Sequence, residues 1–177
     1  MPGLPAAHAA VSRYRTVLDR HWIAAHIPHQ GDMCLLDAVS AWSENTIACR
    51  AISHTSPANP LRAEGRLGAA NGIEYAAQAM AIHGALLANA NDQPRQGYLT
   101  SVRSVSLHVA RLDDLRGHLE VQAERLSGDA NNILYQFSIS HDGRCLLDGR
   151  AAVVLDAAAL NPSAHGQPEN STKKEIS

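Results

Sequence analysis

Aromatic residues are scarce, at 4% of 177 residues with a single phenylalanine, so a cavity walled by stacked rings has few side chains to draw on. The three cysteines, Cys34, Cys49 and Cys145, form an odd set without zinc-type spacing. Reduced thiols in a cytoplasmic protein are the simplest expectation. No basic start followed by an apolar run opens the chain, so no secretory signal is expected. No apolar stretch reaches the length of a membrane span. Residues 68–88 come nearest, and Glu74, Gln78 and His83 interrupt them. A net charge of −2 with scattered Arg and Lys lacks the basic patch of a nucleic-acid binder. Lys173-Lys174 is the one basic doublet. There is no Gly-x-Ser-x-Gly nucleophile turn and no glycine-rich phosphate loop, which argues against a serine hydrolase and a nucleotide binder.

What remains is ordinary for a globular domain, with 45% hydrophobic and 18% charged residues. Residues 1–12 are Ala/Pro-rich and expected to be loose. A domain over 13–158 follows, and residues 159–177 read as a disordered polar tail. Residues 11–20 are expected to form a short helix. Asp19 is placed to cap a further turn over His21 to Ala25, which Pro28 stops. Met33 to Ile52 reads as two strands with a turn at Glu44-Asn45. A loop over 53–67 leads to a long helix, Ala69 to Ala90, ended by Asn89, Asn91, Asp92 and Pro94. This helix is apolar nearly all round, the mark of a buried helix. Its alanines and Gly84 let a sheet come close. Strands are then expected over 97–110, from Leu119, over Ile133 to Ile139, and from Cys145 to Leu155. Asp142-Gly143 makes the hairpin turn between the last two. One buried helix among five to six largely antiparallel strands is an α+β domain. A single sheet around one helix leaves edges that dimerisation would cover.

Two stretches carry chemistry. Ile27-Pro28-His29-Gln30-Gly31-Asp32-Met33-Cys34-Leu35-Leu36-Asp37 sets a histidine in a proline-restrained turn ahead of an apolar segment. Asn71-Gly72-Ile73-Glu74-Tyr75-Ala76-Ala77-Gln78 sets a carboxylate near the start of the apolar helix. A histidine and a carboxylate are a minimal acid–base pair. Burial favours the neutral form of Glu74, while the helix N-terminus favours the anion. Gln78, one turn on, shares the face of Glu74 and can orient it. Free amides around Ala69 to Asn71 suit an oxyanion. His26 and His29 are three apart, but Pro28 breaks helical spacing between them and no third ligand is evident, so no metal is expected. His83 reads as a satisfied core histidine, His54 and His108 as ordinary, and Cys34 as packing.

The order of histidine turn, strand, buried helix with glutamate and four further strands resembles the hotdog fold. The two motifs resemble the FabA/FabZ-type 3-hydroxyacyl-acyl-carrier-protein dehydratases, and among these the dehydratase-like subunits of aryl polyene pathways. Pro28-His29 with Leu35-Leu36-Asp37, and Ile73-Glu74 with Ala77-Gln78, carry the likeness over roughly residues 15–156. The resemblance implies a dimeric hydro-lyase without metal or organic cofactor. In it His29 removes the C2 proton and Glu74 protonates the leaving C3 hydroxyl. Gly68, Ala69, Ala70 and Gln78 attend the substrate, and the histidine of one subunit meets the glutamate of the other. It also implies acyl carrier protein, with its acyl-phosphopantetheine, as partner. Arg62, Arg66, Arg95 and Arg103 are candidates for docking that acidic protein.

The chain departs from the pattern in two places. Asn59-Pro60-Leu61-Arg62-Ala63-Glu64-Gly65 stands where Gly-His-Phe-Pro is usual. Leu67-Gly68-Ala69-Ala70 replaces the usual Pro-Gly at the helix start. Two rival readings therefore accompany the dehydratase. One is a hotdog thioesterase, whose helix carboxylate activates water. The other is a supporting subunit that works only in a heterodimer with a related hotdog chain.

Overall fold

A computed structural model describes residues 17–88, 97–129 and 131–155. Its elements are β1 (Leu18–Asp19), α1 (Arg20–His26), β2 (Ala38–Trp42), β3 (Thr46–Ala51), α2 (Gly72–Leu87), β4 (Tyr98–Leu107), β5 (Leu119–Gly128), β6 (Asn132–His141) and β7 (Arg144–Val154). The seven strands form one sheet in the order β1-β2-β3-β5-β6-β7-β4, and neighbouring strands are antiparallel throughout. The expected loose N-terminus and polar tail, and the stop signals from Asn89 to Pro94, lie outside the described residues.

Period-two patterning builds the sheet. Leu119, Val121 and Ala123 are buried on β5, and Ile133, Tyr135, Phe137 and Ile139 on β6. Helix α2 lies on β3, β5 and β6. It buries Tyr75, Ala76, Ala79, Met80, Ile82 and His83 against them, and the small Ala76 and Ala79 permit close contact. Asp142 (φ 48°) and Gly143 (φ 76°) take the left-handed conformations that a two-residue hairpin needs.

Four expectations change. The sheet has seven strands, not five to six, because Leu18–Asp19 pairs with Val39 and Ala38 instead of extending a helix. Asp19 serves both ends: its backbone is extended (φ −85°, ψ 175°) while its side chain accepts from Trp22 N, so α1 starts at Arg20. Gly31–Met33 is a 3₁₀ turn, and strand begins only at Ala38. Helix α2 is fully buried along one flank only. Ile73, Ala77, Ala81 and Gly84 are half-exposed in the single chain.

Candidate active site

His29 is held by the way α1 stops. Ile27, before proline, is forced extended (φ −121°, ψ 156°). Gln30 then folds the turn back, its Nε2 donating to the Ala24 carbonyl at 2.8 Å and to that of Ile27 at 3.3 Å. Gly31 takes φ 57°, and Arg20 donates to its carbonyl at 3.0 Å. His26 is turned away, its Nδ1 donating to the Trp22 carbonyl at 2.7 Å.

Glu74 projects from the first turn of α2. His29 Nε2 lies 3.1 Å from Glu74 Oε1, with the two side chains 28% and 32% exposed. The pair is therefore covered enough to be ordered and open enough to meet a ligand. His29 Nδ1 is buried without a partner among the described residues, so no second hydrogen bond fixes the ring tautomer. Both members of this close pair belong to one chain.

Gln78 joins the two arms. It is completely buried. Its Nε2 donates to Glu74 Oε1 at 3.2 Å and to the Met33 carbonyl at 2.8 Å. Its Oε1 accepts from Leu35 N at 2.9 Å. These bonds explain why Cys34–Asp37 is not strand: backbone groups that a neighbouring strand would take are held by a helix side chain. On the other side of Leu35, Ser53 Oγ donates to its carbonyl at 2.7 Å. The Ser53 proton being committed there, Tyr75 OH donates to Ser53 Oγ at 2.9 Å. Asn59 Nδ2 in turn donates to the Tyr75 oxygen at 2.9 Å. Burial pushes the Tyr75 phenol up, keeping it neutral.

The helix start is anchored by a crossing segment. Ala69 N donates to the Ala110 carbonyl at 3.1 Å, Leu112 N to Leu67 at 2.8 Å, and Asn71 N to Gly68 at 3.0 Å. Ala69 and Asn71, expected among the oxyanion donors, are thus occupied, the first because the Gly68–Arg111 bridge brings up the Ala110 carbonyl and the second by the turn closing on Gly68. The amides of Gly68 and Ala70 keep no backbone acceptor among the described residues. Asp113, which sequence reading passed over, accepts from Leu67 N at 2.8 Å. It also pairs with Arg111 and, at 3.7 Å, with Arg62. The Arg111 guanidinium holds the Asp113 carboxyl well below the usual carboxylate range. Arg62 is turned inward, donating to Gly65 and His54 carbonyls at 2.8 and 3.0 Å. Arg66 and Arg103 are exposed, and Arg95 lies outside the described residues.

His83 donates from Nε2 to the Ser43 carbonyl at 2.9 Å and accepts at Nδ1 from Tyr135 OH at 3.0 Å. Burial lowers its pKa, so it sits neutral in the core. His54 is fully buried, a placement its sequence context did not announce. Two cavities, of about 380 and 220 Å³, lie beside Asn132–Leu134 and beside Ser53–Asn59, and neither is lined by His29 or Glu74.

One long helix in the curve of an antiparallel sheet places the chain in the hotdog class. Residues 21–162 match the model of the ApeP-like family, described as ApeP dehydratase, and the chain belongs to that family. No curated protein matches it. The fold is similar to the dehydratase heterocomplex ApeI:P from Xenorhabdus doucetiae (TM-score 0.69, 23% identity, covering 77% of this chain and 92% of that one). It is also similar to zebrafish thioesterase superfamily member 2 (TM-score 0.54, 12% identity, 78% and 99% covered). A thioesterase from Haemophilus influenzae is similar as well (TM-score 0.51, 13% identity, 74% and 80% covered). Among the described residues no helix is long and apolar enough to cross a membrane.

Proposed function

We propose that the protein dehydrates a 3-hydroxyacyl group, carried as a thioester on acyl carrier protein, to the trans-2-enoyl product. The observation that carries this reading is the 3.1 Å approach of His29 Nε2 to Glu74 Oε1. Elimination of water acts on two adjacent carbons, so its base and acid must stand side by side. His29 Nε2 takes the C2 proton, the C–H electrons form the double bond, and the C3–O bond breaks as Glu74 protonates the departing hydroxyl. The imidazolium then returns its proton to the neighbouring carboxylate, which restores both groups. Charge gathers on the thioester oxygen during proton removal, and the Gly68 and Ala70 amides are the donors left to receive it. Gln78 positions Glu74 and does not itself exchange protons with substrate.

The reading includes a second hotdog chain, a copy or a relative. Among the described residues strand β4 pairs with β7 on one side only, and it exposes Tyr98, Leu99, Val105 and Leu107. A long apolar edge of this kind is normally covered. The half-exposed Ile73, Ala77 and Ala81 on α2 point the same way: a partner would wall the acyl chain. Of the arginines expected to dock the acidic carrier, Arg66 and Arg103 are exposed.

The test is conversion of a 3-hydroxyacyl-carrier-protein thioester by purified protein, followed as mass loss of one water. His29→Ala and Glu74→Gln are each expected to lower the rate by at least about 100-fold, the usual worth of a general acid or base, without loss of folding. Release of free acid would establish a thioesterase instead. No reaction alone, but turnover after adding a related hotdog chain, would make this chain a partner-dependent subunit.

A further inference from the structure

Away from the dyad, three ligand-bearing side chains converge where β4 ends against β7. His108 Nε2 lies 2.8 Å from Asp148 Oδ2, and Cys145 Sγ lies 3.7 Å from the same oxygen. The three ligand atoms are all within 4.8 Å of one another. This meeting is unexpected for a strand, where residues three apart point to opposite faces. Opposite the consecutive residues Ile139 and Ser140 stand Leu147 and Cys145, so Leu146 is an extra residue in β7. That bulge buries Leu146 and Leu147 in succession and turns Cys145 and Asp148 to one side. His108 is pinned to the same bulge, its backbone N–H donating to the Leu146 carbonyl at 2.8 Å.

We propose that His108, Cys145 and Asp148 form a binding site for a zinc-class divalent cation. An imidazole, a thiolate and a carboxylate are three of the four ligands such a cation takes, and the soft thiolate selects against magnesium and calcium. Metal–ligand bonds of about 2.0–2.3 Å set tetrahedral ligand atoms roughly 3.3–3.8 Å apart. The present spacing reaches that with side-chain adjustments of under about an ångström, because the cation replaces the proton between His108 and Asp148. The fourth position opens to solvent or to an incoming ligand. The thiolate of Cys145 is the ligand form, so binding would release its proton. The site also has structural reach. His108 is two residues from Ala110, whose carbonyl holds the Ala69 amide at the start of α2, so a bound ion would clamp this segment to β7.

The experiment is titration of metal-free full-length protein with Co²⁺, whose thiolate complexes show a charge-transfer band in the near ultraviolet, followed by displacement with Zn²⁺. Cys34 and Cys49 are 0% and 1% exposed, so such a band reports Cys145. One Co²⁺ per chain, a band lost in Cys145→Ser, and affinity weakened at least about tenfold in His108→Ala are expected for a three-ligand site. Zn²⁺ should raise the melting temperature of wild type and of neither variant. Absence of the band, its survival in Cys145→Ser, or wild-type affinity in His108→Ala, which would mark capture by a thiol alone, would overturn the proposal.

Discussion

Replacing Gln78 by methionine is the most direct probe of how this site is held. The side chain is fully buried, and methionine keeps its length while removing its donor and acceptor. Leu35 N loses its acceptor at 2.9 Å and the Met33 carbonyl its donor at 2.8 Å. A buried polar group left unpaired costs about 1–3 kcal/mol. Met33 is partly exposed and water can compensate its carbonyl, so the loss should be about 1–3 kcal/mol, set by Leu35 N. Glu74 also loses its tether at 3.2 Å, and the His29 turn loses its link to the helix. Misplacing one reacting group should lower kcat by at least about tenfold. The assay pairs urea unfolding with turnover of the hydroxyacyl thioester at saturating substrate. A Gln78→Met protein as stable and as active as wild type would refute the reasoning, since the clamp would then be incidental. A stable but slow variant would still assign positioning to Gln78.

Gly149→Ala should destabilise by about 1–3 kcal/mol. A Cβ there would sit 2.9 Å from Phe137 Cζ and 3.1 Å from Val105 Cγ2, and Phe137, 1% exposed, has no room to yield; the urea midpoint reads this. Asp113→Asn should lower the urea midpoint at pH 7, because the native carboxylate is stabilised by Arg111 and its pKa is depressed. The contribution of a carboxylate with depressed pKa is complete above the unfolded value of about 3.9 and fades as pH falls through the folded one. The gap between variant and wild type should therefore close below about pH 4, and a gap unchanged down to strongly acid pH would contradict that origin.

The parts of this site that local rules govern were legible in the chain. Pro28 sets the backbone of Ile27 and so the turn that carries His29. Four-residue spacing alone puts Gln78 beside Glu74. The Asp-Gly pair marks the β6–β7 hairpin. What local rules cannot see is a side chain taking a distant backbone group. Gln78 reaches Met33 and Leu35 more than forty positions away, and for that reason Cys34–Asp37 reads as strand but is not. The amide of Ala69 is free by the logic of a helix start, yet the carbonyl of Ala110 arrives to take it. The bulge at Leu146 is equally silent in sequence. Without it Cys145 and Asp148 would face opposite ways, and His108 reads as unremarkable.

On the proposed reading, an acid–base pair within one chain would change what a partner has to contribute. Were the histidine and glutamate split between subunits, inactivating either chain would abolish both sites. Here His29 and Glu74 stand 3.1 Å apart in a single chain, so on that reading a partner would have to supply cover for the β4 edge and for the acyl group, not a reacting side chain. A reconstituted pair with a related hotdog chain makes the two cases separable. If this chain carries the reaction, a partner with its own histidine and glutamate replaced should still support turnover. His29→Ala here should abolish it beside that same replaced partner. The opposite pattern, activity that follows the partner's residues and survives His29→Ala, would assign this chain a supporting wall and leave its dyad without a catalytic task.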